Sequence, residues 1–387
     1  MKDVRAAGEV IAGDWVWNPE SEDLIREAFS IANQWRDTHA YPMRSIRGSV
    51  RAHIRLQGLE GLTVARLKRM NAIRGKLKRM SGRRRPLGLE ELQDLGGCRA
   101  IMNTMEGVRT LVDTMKARCR HELWNEDSYI SAPRNTGYRS HHLKLAFEGR
   151  GEAAVHNGRR IEVQVRTSLQ HSWATAVEAV GLFLDQPLKS GKGDPNWLRF
   201  FTLMSAEFAE AEKCELPPGV PNQRARMREL KDLNEQLGAS DTLDNITHAV
   251  RYVEDAAIPT RSKPRYYLIR YDHETRQVEI RPQYQSSYAF SAYGEAEAPD
   301  NLSGGDTADI VLVEADKIEN LPRAYPNYFG DVQLFRVQLG RLTKGKPVEE
   351  YQLALQARAI AKARETIDAS WIGRRGMWTE PKRKKQG

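Results

Sequence analysis

The segment RIEVQVRT, residues 160–167, alternates between apolar residues and polar residues that could do chemistry. In a β-strand, successive side chains point to opposite faces, so Glu162, Gln164 and Arg166 share the face opposite the branched apolar residues. A carboxylate, an amide and a guanidinium on one face suit a metal ligand beside groups that orient phosphates. The alternative is an exposed strand face carrying ordinary charge pairs.

A second candidate metal ligand is Asp94, in the segment QDLGGCRAIM. It precedes a predicted strand, and Gly96-Gly97 would let backbone approach a ligand closely. Alone, such an aspartate is typical of a helix end or a turn. Paired with Glu162 from a neighbouring strand it predicts a Mg²⁺ site, because Mg²⁺ takes one or two protein carboxylates and completes its shell with phosphates and water.

The segment RLKRMNAIRGKLKRMSGRRR, residues 66–85, contains ten Lys or Arg and no acidic residue. Its apolar residues recur every three or four positions, which predicts a helix with one buried stripe and a dense positive surface. This pattern favours contact with phosphate or nucleic acid, with an ordinary basic surface as the alternative. The cations proposed to contact a polyanion are Arg79, Arg83, Arg84 and Arg85.

The polar segment SAPRNTGYRSHH, residues 131–142, contains an aromatic ring among cations. Tyr138 could stack on a base while Arg139 and His142 contact phosphates. By itself the Gly137-Tyr138 pair is weak support, and a tyrosine that packs a turn is the alternative.

These residues need a mixed α/β framework to position them. Residues 21–80 read as helical, with breaks near Tyr41-Pro42 and Gly58–Gly61. Thr167 and Gln170 predict a capping box at the start of the helix that follows the Glu162 strand. The remaining predicted elements are helices over LEELQDL, 105–118, 197–214 and 224–253, strands over CRAIMN, 141–149 and 160–167, a hairpin of KPRYYLIRYD with RQVEIRPQ, a strand at 309–316, and helices at 332–341 and 347–367.

The chain is long enough for more than one domain, and the proline-containing stretch near 215–222 is the best boundary. We predict a first domain over 1–215, a helical connector over 216–262, a small α+β domain over 263–375 and a basic tail over 376–387.

Composition adds limits on the class of protein. The net charge of +9 favours anionic partners, and three cysteines provide neither metal-ligand spacing nor a disulfide framework. No secretory signal pattern and no apolar run of transmembrane length is present, so we expect a cytoplasmic protein with no membrane partner.

Together, the motifs between about residues 60 and 180 resemble the synthetase domain of the RelA/SpoT homologue family. The matching motifs, in order, are Arg66-x-Lys68 with Lys76; Asp94 with Arg99; Gly137-Tyr138-Arg139-Ser140-x-His142; and Glu162-x-Gln164-x-Arg166-Thr167 with His171 and Trp173-Ala174. The resemblance implies a mixed β-sheet flanked by helices and an ATP-dependent pyrophosphokinase.

In such an enzyme, ATP gives its β,γ-pyrophosphate to a ribose 3′-hydroxyl and leaves as AMP. The resemblance assigns Arg66 and Arg99 to the adenine of ATP and Lys68 and Lys76 to its phosphates. It assigns Asp94 and Glu162 as Mg²⁺ ligands, and Glu162 also as the group that accepts the proton of the acceptor hydroxyl. Gln164 is assigned as a catalytic residue beside them. The assigned acceptor-binding residues are Tyr138, Arg139, His142 and Arg166.

One departure from the family pattern is Ala72, where members commonly have serine, which puts a donor-phosphate contact in doubt. No hydrolase motif precedes the synthetase motifs, so the chain is similar to the small, synthetase-only members.

The C-terminal half resembles that of the fused toxin–antitoxin branch, the CapRel-like proteins. That likeness implies a domain resembling a zinc finger without its metal, and no cysteine follows Cys214. It also implies transfer to the 3′ CCA end of tRNA, self-inhibition through Tyr325 and Tyr328, and release by a phage protein such as a capsid protein.

Three functions therefore stay open at this point. They are a self-inhibited tRNA-modifying toxin, an alarmone synthetase acting on GDP, GTP or an adenine nucleotide, and a catalytically inactive RNA-binding regulator. Two metal carboxylates argue against the last. The sequence makes no prediction of oligomeric state.

Overall fold

The computed structural model describes residues 1–15, 18–82, 86–249, 251–254, 266–272, 275, 277–298, 308–314 and 332–349. These residues belong to one compact unit, which spans Met1–Glu350. Within this part of the chain, no helix is both long and apolar enough to span a bilayer.

The described strands form a single mixed sheet. In chain order they are β1 (Gly61–Leu67), β2 (Gly96–Met102), β3 (Glu122–Ser128), β4 (His141–Ala146), β5 (Arg160–Thr167), β6 (Arg251–Glu254), β7 (Tyr266–Asp272), β8 (Gln277–Gln283) and β9 (Ala308–Glu314). Their spatial order is β3-β4-β5-β2-β1-β9-β7-β8-β6, with β2–β5 and β6–β8 parallel and the other pairs antiparallel.

Helices cover the sheet and extend from it. They are α1 (Lys2–Ala12), α2 (Pro19–Asp37), α3 (Ala40–Leu56), α4 (Met70–Ser81), α5 (Met105–Arg118), α6 (Ser168–Phe183), α7 (Pro195–Ala211), α8 (Gln223–Leu237), α9 (Ala239–Ala249), α10 (Ser286–Ala296) and α11 (Gln333–Leu342). The predicted mixed α+β class is confirmed.

One face of the sheet forms the main core with α3 and α5. Ile161, Val163 and Val165 are completely buried there, as the alternation of β5 predicts, and Ile46 and Leu111 pack in the same cluster. Each such side chain contributes about 1.5–3 kcal/mol when removed from water. The polar side chains of β5, Glu162, Gln164 and Arg166, therefore lie on the opposite face of the sheet.

A second, mainly helical core supports the far end of β5. It joins α6, α7, α8, α9 and α11 through residues such as Trp173, Phe200, Leu230, Leu243 and Phe335. The predicted capping box at the start of α6 is confirmed, since the Thr167 hydroxyl accepts from the Gln170 amide and the Gln170 side chain accepts from the Thr167 amide.

The predicted continuous helix across 66–85 is wrong at its start. Residues 61–67 form strand β1, because Gly61–Leu67 pairs along its whole length with Gly96–Met102, and the helix begins only at Met70. The apolar spacing resembled that of a single helix because Leu67 is buried too. Leu67, however, is the last residue of strand β1 and not part of the helix.

The predicted break at Tyr41-Pro42 is also misplaced. Pro42 lies in the first turn of α3, where its missing N–H has no intrahelical partner to lose, and the chain breaks instead around Thr38 and His39. The predicted helix over LEELQDL is reduced to a single 3-10 turn, Leu89–Glu91.

Besides β1, which was predicted as helix, the elements that were not predicted include α1, β3, β6 and α10. Strand β3 has no apolar alternation and is an edge strand of the sheet, with the half-exposed Trp124 stacked on Arg160 of β5 at 4.0 Å. Most of the predicted helix at 347–367 lies outside the described residues, and Lys346–Glu349 are not helical.

The C-terminal strands continue the same sheet. β9 pairs with β1 at Ala65 and Arg66, and β7 and β8 extend from β9 as the predicted hairpin. The domain boundaries stay a prediction, but residues 308–314 contact the N-terminal part directly through this pairing.

Candidate active site

The polar face of the sheet brings the predicted site residues together by strand register. Glu162 of β5 lies opposite Gly97 of β2, and Gln164 lies opposite Arg99. On the other side of β5, His142 of β4 pairs with Gln164. Because paired residues point to the same face, these side chains form one continuous polar surface.

Asp94 lies just before β2 and binds two lysines. Its Oδ2 is 2.9 Å from the Nζ of Lys68 and 2.9 Å from the Nζ of Lys76. Burial alone would raise the pKa of Asp94, but the two ammonium groups lower it overall, so the carboxylate stays charged. The structure therefore brings together Lys68 and Lys76, which were predicted to bind phosphate, and Asp94, which was predicted to bind Mg²⁺.

Glu162 is held by a side chain on each oxygen. The Nδ1 of His142 lies 3.0 Å from its Oε1, and the Nε2 of Gln164 donates to its Oε2 at 2.8 Å. Burial alone would raise the pKa of Glu162, but the hydrogen bond and charge of His142, with the hydrogen bond from Gln164, together lower it overall. These contacts fix the orientation of an ionised carboxylate.

The His142 ring continues the chain of hydrogen bonds to an aromatic group. Its Nε2 is 2.9 Å from the phenol oxygen of Tyr138, and burial raises the pKa of that phenol, so it is a donor. With Nε2 accepting from Tyr138, Nδ1 carries the proton that is donated to Glu162. The Tyr138 ring also packs edge-to-face against Tyr129 at 5.7 Å.

The two carboxylates fit the predicted Mg²⁺. The charge on Asp94 acts to raise the pKa of Glu162, as expected for carboxylates that share a small region. The Oδ1 of Asp94 is buried without a hydrogen-bond partner, so it is available as a ligand. No cluster of three or more His, Cys, Asp or Glu with metal-ligand geometry occurs among the described residues, as expected for an ion that takes its other ligands from phosphate and water.

A group of arginines lies beside these carboxylates. Arg66 is opposite Gly97 in the β1–β2 register, and Arg166 is buried with its guanidinium 2.6 Å from the Nδ1 of His171. Burial, together with the charges of Arg99 and Arg66, lowers the pKa of Arg166 to about 9. Mutual repulsion of this kind indicates that the three arginines converge on a common region that would favour an anion.

The sequence did not predict that Glu178 and Lys189 would join this region. Their side chains pair at 2.5 Å. Burial alone would raise the pKa of Glu178, but Lys189, with Arg99 and Arg66, lowers it to about 2. Glu178 is the one acidic residue of helix α6 (SLQHSWATAVEAVGLF). That isolated charge is the feature of the sequence that could have pointed to a role for Glu178.

The structure does not bring Arg139 into the group. Its guanidinium is buried and bonded to Glu212 at 2.7 Å, and its Nε donates to the Ser205 hydroxyl. An arginine committed in this way stabilises the packing of α7, so its predicted contact with the acceptor has no support here.

The predicted polyanion contacts are only partly described. Arg79 lies exposed in the last turn of α4. Arg83, Arg84 and Arg85, and the tyrosines Tyr325 and Tyr328, lie outside the described residues. Ala72 lies in the first turn of α4, between Lys68 and Lys76 in sequence.

Comparisons with known proteins agree with this geometry. Residues 65–182 match the family described as a region found in RelA/SpoT proteins. Among curated proteins, the chain is 29% identical over 90 residues to the GTP pyrophosphokinase YjbM of Bacillus subtilis, covering 22% of this chain and 41% of that protein. The match thus spans about two fifths of that relative's length.

Solved structures of related proteins were also found. A GTP pyrophosphokinase family protein from Streptococcus pneumoniae is 19% identical, with a TM-score of 0.39 over 53% of this chain and 95% of that one. The small alarmone synthetase 1 of Bacillus subtilis bound to pppGpp is 17% identical, with a TM-score of 0.37 over 54% and 97%.

The family match begins one residue before Arg66 and ends after Glu178, so it includes both carboxylates, both lysines and the three arginines. The chain therefore resembles RelA/SpoT proteins over residues 65–182, the part that holds the candidate site.

Proposed function

We propose that this chain is an ATP-dependent pyrophosphokinase that transfers the β,γ-pyrophosphate of ATP to a ribose 3′-hydroxyl. The observation that carries the proposal is the pair Asp94 and Glu162, electrostatically coupled and flanked by Lys68 and Lys76 on one side. Transfer of phosphoryl groups depends mainly on positioning and on neutralising charge, which these groups supply.

The donor nucleotide would occupy the side of the site formed by β1, β2 and α4. Arg66 and Arg99 would hold adenine, since guanidinium planes stack on aromatic rings. The ATP phosphates would bind the ammonium groups of Lys68 and Lys76, both of which contact Oδ2 of Asp94. ATP binding would thereby leave Asp94 able to bind a cation.

The transfer step balances without a further reactant. The 3′-oxygen of the acceptor attacks the β-phosphorus, the bond from the bridging α,β-oxygen to that phosphorus breaks, and AMP leaves with the bridging oxygen. Glu162 would accept the hydroxyl proton, and its hydrogen bonds from His142 and Gln164 hold it towards the reacting group. Mg²⁺, bound by Asp94 and Glu162, would neutralise phosphate charge.

For the acceptor we propose the 3′ end of tRNA, with Tyr138 stacking on its terminal base. The support is the basic run that includes Arg79 and residues 83–85, which suits a polyanion better than a mononucleotide. The second candidate is a guanosine or adenosine nucleotide. It is favoured by the relatives, which are named as GTP pyrophosphokinases or small alarmone synthetases.

One incubation separates these acceptors. The full chain is given γ-labelled ATP with deacylated tRNA and GDP together, and the products are separated by size. Label in RNA supports the tRNA proposal, and label in a nucleotide supports the second candidate. No transfer to either in the presence of Mg²⁺, by the wild-type chain and also by a Tyr325→Ala, Tyr328→Ala variant, would contradict the pyrophosphokinase assignment.

The salt dependence of tRNA binding provides an independent test. Replacing Arg83, Arg84 and Arg85 with Gln should make the dependence of log K on log salt shallower by about three phosphate contacts at most. An unchanged slope and affinity would favour the nucleotide acceptor.

We also propose that the C-terminal half inhibits the enzyme until a phage protein binds. A tyrosine ring from Tyr325 or Tyr328 could occupy the adenine position between Arg66 and Arg99 through cation–π contact. Tyr325→Ala with Tyr328→Ala should then arrest growth on expression, and adding Glu162→Gln should restore growth. Normal growth combined with a lowered melting temperature would mean that the tyrosines only pack their own segment.

A further inference from the structure

The two residues between β1 and α4 position both candidate phosphate-binding lysines. Lys68 and Arg69 form this connection, and Lys76 follows on α4 about two turns after the helix begins. A change in the direction of α4 would therefore move Lys76 relative to Lys68 and Asp94.

The first residue of α4 is bonded to a residue from the C-terminal half of the chain. The amide N–H of Met70 donates to Oε1 of Glu297 at 3.0 Å. The residue before the helix is Arg69, whose side chain makes no capping hydrogen bond. Glu297 thus supplies both the acceptor and the negative charge that a helix N-terminus favours.

The second oxygen of Glu297 forms a buried ion pair with Arg36 of α2. Arg36 is completely buried, and Glu297 is 4% exposed. The same guanidinium lies 4.4 Å from the ring centre of Tyr293 on α10 and donates to the backbone carbonyl of Lys68 at 3.4 Å. Glu297 therefore contacts the segment between β1 and α4 in two ways. It accepts directly from the Met70 amide, and through Arg36 it is linked to the carbonyl of Lys68.

A second carboxylate from the same half contacts the residue in between. Asp309 of β9 forms an ion pair with Arg69, and β9 itself pairs with β1 at Arg66. The C-terminal half thus contacts each residue from Arg66 to Met70 except Leu67, through backbone pairing, ion pairs or the Arg36 bridge.

We propose that Glu297 is a positioning residue for the donor side of the site, and that residues 286–298, together with Asp309, are part of the structure that binds ATP. This inference rests on the proposed function. It adds an activating role for the C-terminal half, because breaking this contact should weaken ATP binding, whereas breaking an inhibitory contact should strengthen it.

The test compares two buried carboxylates of the full-length chain. Glu297→Gln removes the charge that pairs with Arg36 and the N-terminus of α4. Glu314→Gln is the matched control, because Glu314 is also 4% exposed and pairs with Arg47 at 3.6 Å, but lies on β9 opposite Ala65 of β1 and not at the N-terminus of α4. For each variant we would measure the melting temperature, the Kd of a non-hydrolysable ATP analogue, and KM and kcat for ATP.

We expect both variants to melt at lower temperature, but only Glu297→Gln to raise the analogue Kd and the KM for ATP, by about tenfold. Its kcat at saturating ATP should stay within about threefold of wild type, since the reacting groups are untouched. Equal ATP constants in the two variants would overturn the inference, and tighter ATP binding by Glu297→Gln would show that the contact is inhibitory.

A second variant keeps the inference testable if Glu297→Gln does not fold. Asp309 is 22% exposed at its side chain, so Asp309→Asn should fold and still raise the KM for ATP by about threefold. An unchanged KM in that variant would count against the inference. Failure of both the wild-type chain and a Tyr325→Ala, Tyr328→Ala variant to bind the analogue would instead contradict the proposed function itself.

Discussion

His142 should control the reactivity of Glu162 without being the reacting group. We predict that His142→Ala lowers kcat, whereas His142→Asn retains most of it. The asparagine Nδ2 can replace the ring Nδ1, which lies 3.0 Å from Oε1 of Glu162. The alanine variant leaves that oxygen without its donor in a site where Glu162 is only 14% exposed.

The expected size follows from the type of hydrogen bond. A bond to a charged group contributes about 1.5–3 kcal/mol, so His142→Ala should lower kcat by about 10- to 150-fold. The contact between the Tyr138 phenol and His142 is one step further from Glu162. Tyr138→Phe keeps the ring and should therefore lower kcat by about tenfold at most.

The assay is the rate of AMP formation at saturating ATP and acceptor, measured from pH 5 to pH 9. Because His142 lowers the pKa of Glu162, its loss should also shift the acidic limb of the kcat profile to higher pH. The asparagine variant should keep the wild-type limb. A kcat for His142→Ala within threefold of wild type, or equal losses in the alanine and asparagine variants, would refute this assignment.

Further predictions concern the metal pair, a buried ion pair and an uncharged histidine. Asp94→Asn and Glu162→Gln should each lower kcat by at least about a thousandfold, and the double variant should lose less than about tenfold more, because both serve one ion. Multiplying defects would mean separate roles. Arg139→Ala should lower the unfolding free energy by about 3–5 kcal/mol, because it leaves the buried carboxylate of Glu212 without its cation. Urea denaturation measures this loss, and the KM for the acceptor should not change in the folded fraction. A raised KM for the acceptor with unchanged stability would instead indicate that Arg139 binds the acceptor, as the sequence predicted. Burial lowers the pKa of His39 to about 4 from 6.5, so its contribution is present above pH 6.5 and is lost as the pH falls towards 4, by about 3 kcal/mol at most. Urea denaturation of His39→Gln should show a flatter pH dependence over that window, and an unchanged slope would contradict the prediction.

The alternation of β5 carried most of what the sequence could predict about the site. It separated the buried Ile161, Val163 and Val165 from Glu162 and Gln164, and the structure places those two sets on opposite faces. Alternation is a local property, so it is readable without knowledge of the neighbouring strands.

The basic segment was harder to interpret because its apolar spacing spans two elements. Leu67 ends a strand and Met70 begins a helix, yet both are buried, so the pattern resembled one helix. What makes residues 61–67 a strand is their pairing with residues 96–102, which is a long-range contact that local periodicity does not report.

The roles of Arg139 and Glu297 illustrate the same limit in side chains. Arg139 stands inside a motif, but its partner Glu212 comes from 73 residues further along the chain. Glu297 stands in no motif, and only the fold brings it to Met70, 227 residues away. Contacts between elements so distant in sequence follow from packing and leave no local pattern.

The most direct measurement identifies the nucleotide that leaves. The full chain carrying Tyr325→Ala and Tyr328→Ala is incubated with Mg²⁺, tRNA, GDP and ATP labelled in both adenine and the γ-phosphate, and products are counted with and without the further change Glu162→Gln. Pyrophosphate transfer predicts one AMP for each γ-label transferred to an acceptor 3′-hydroxyl when Glu162 is present, and neither product in the Glu162→Gln variant. Formation of ADP in place of AMP, or equal AMP from the Glu162→Gln variant, would contradict the account.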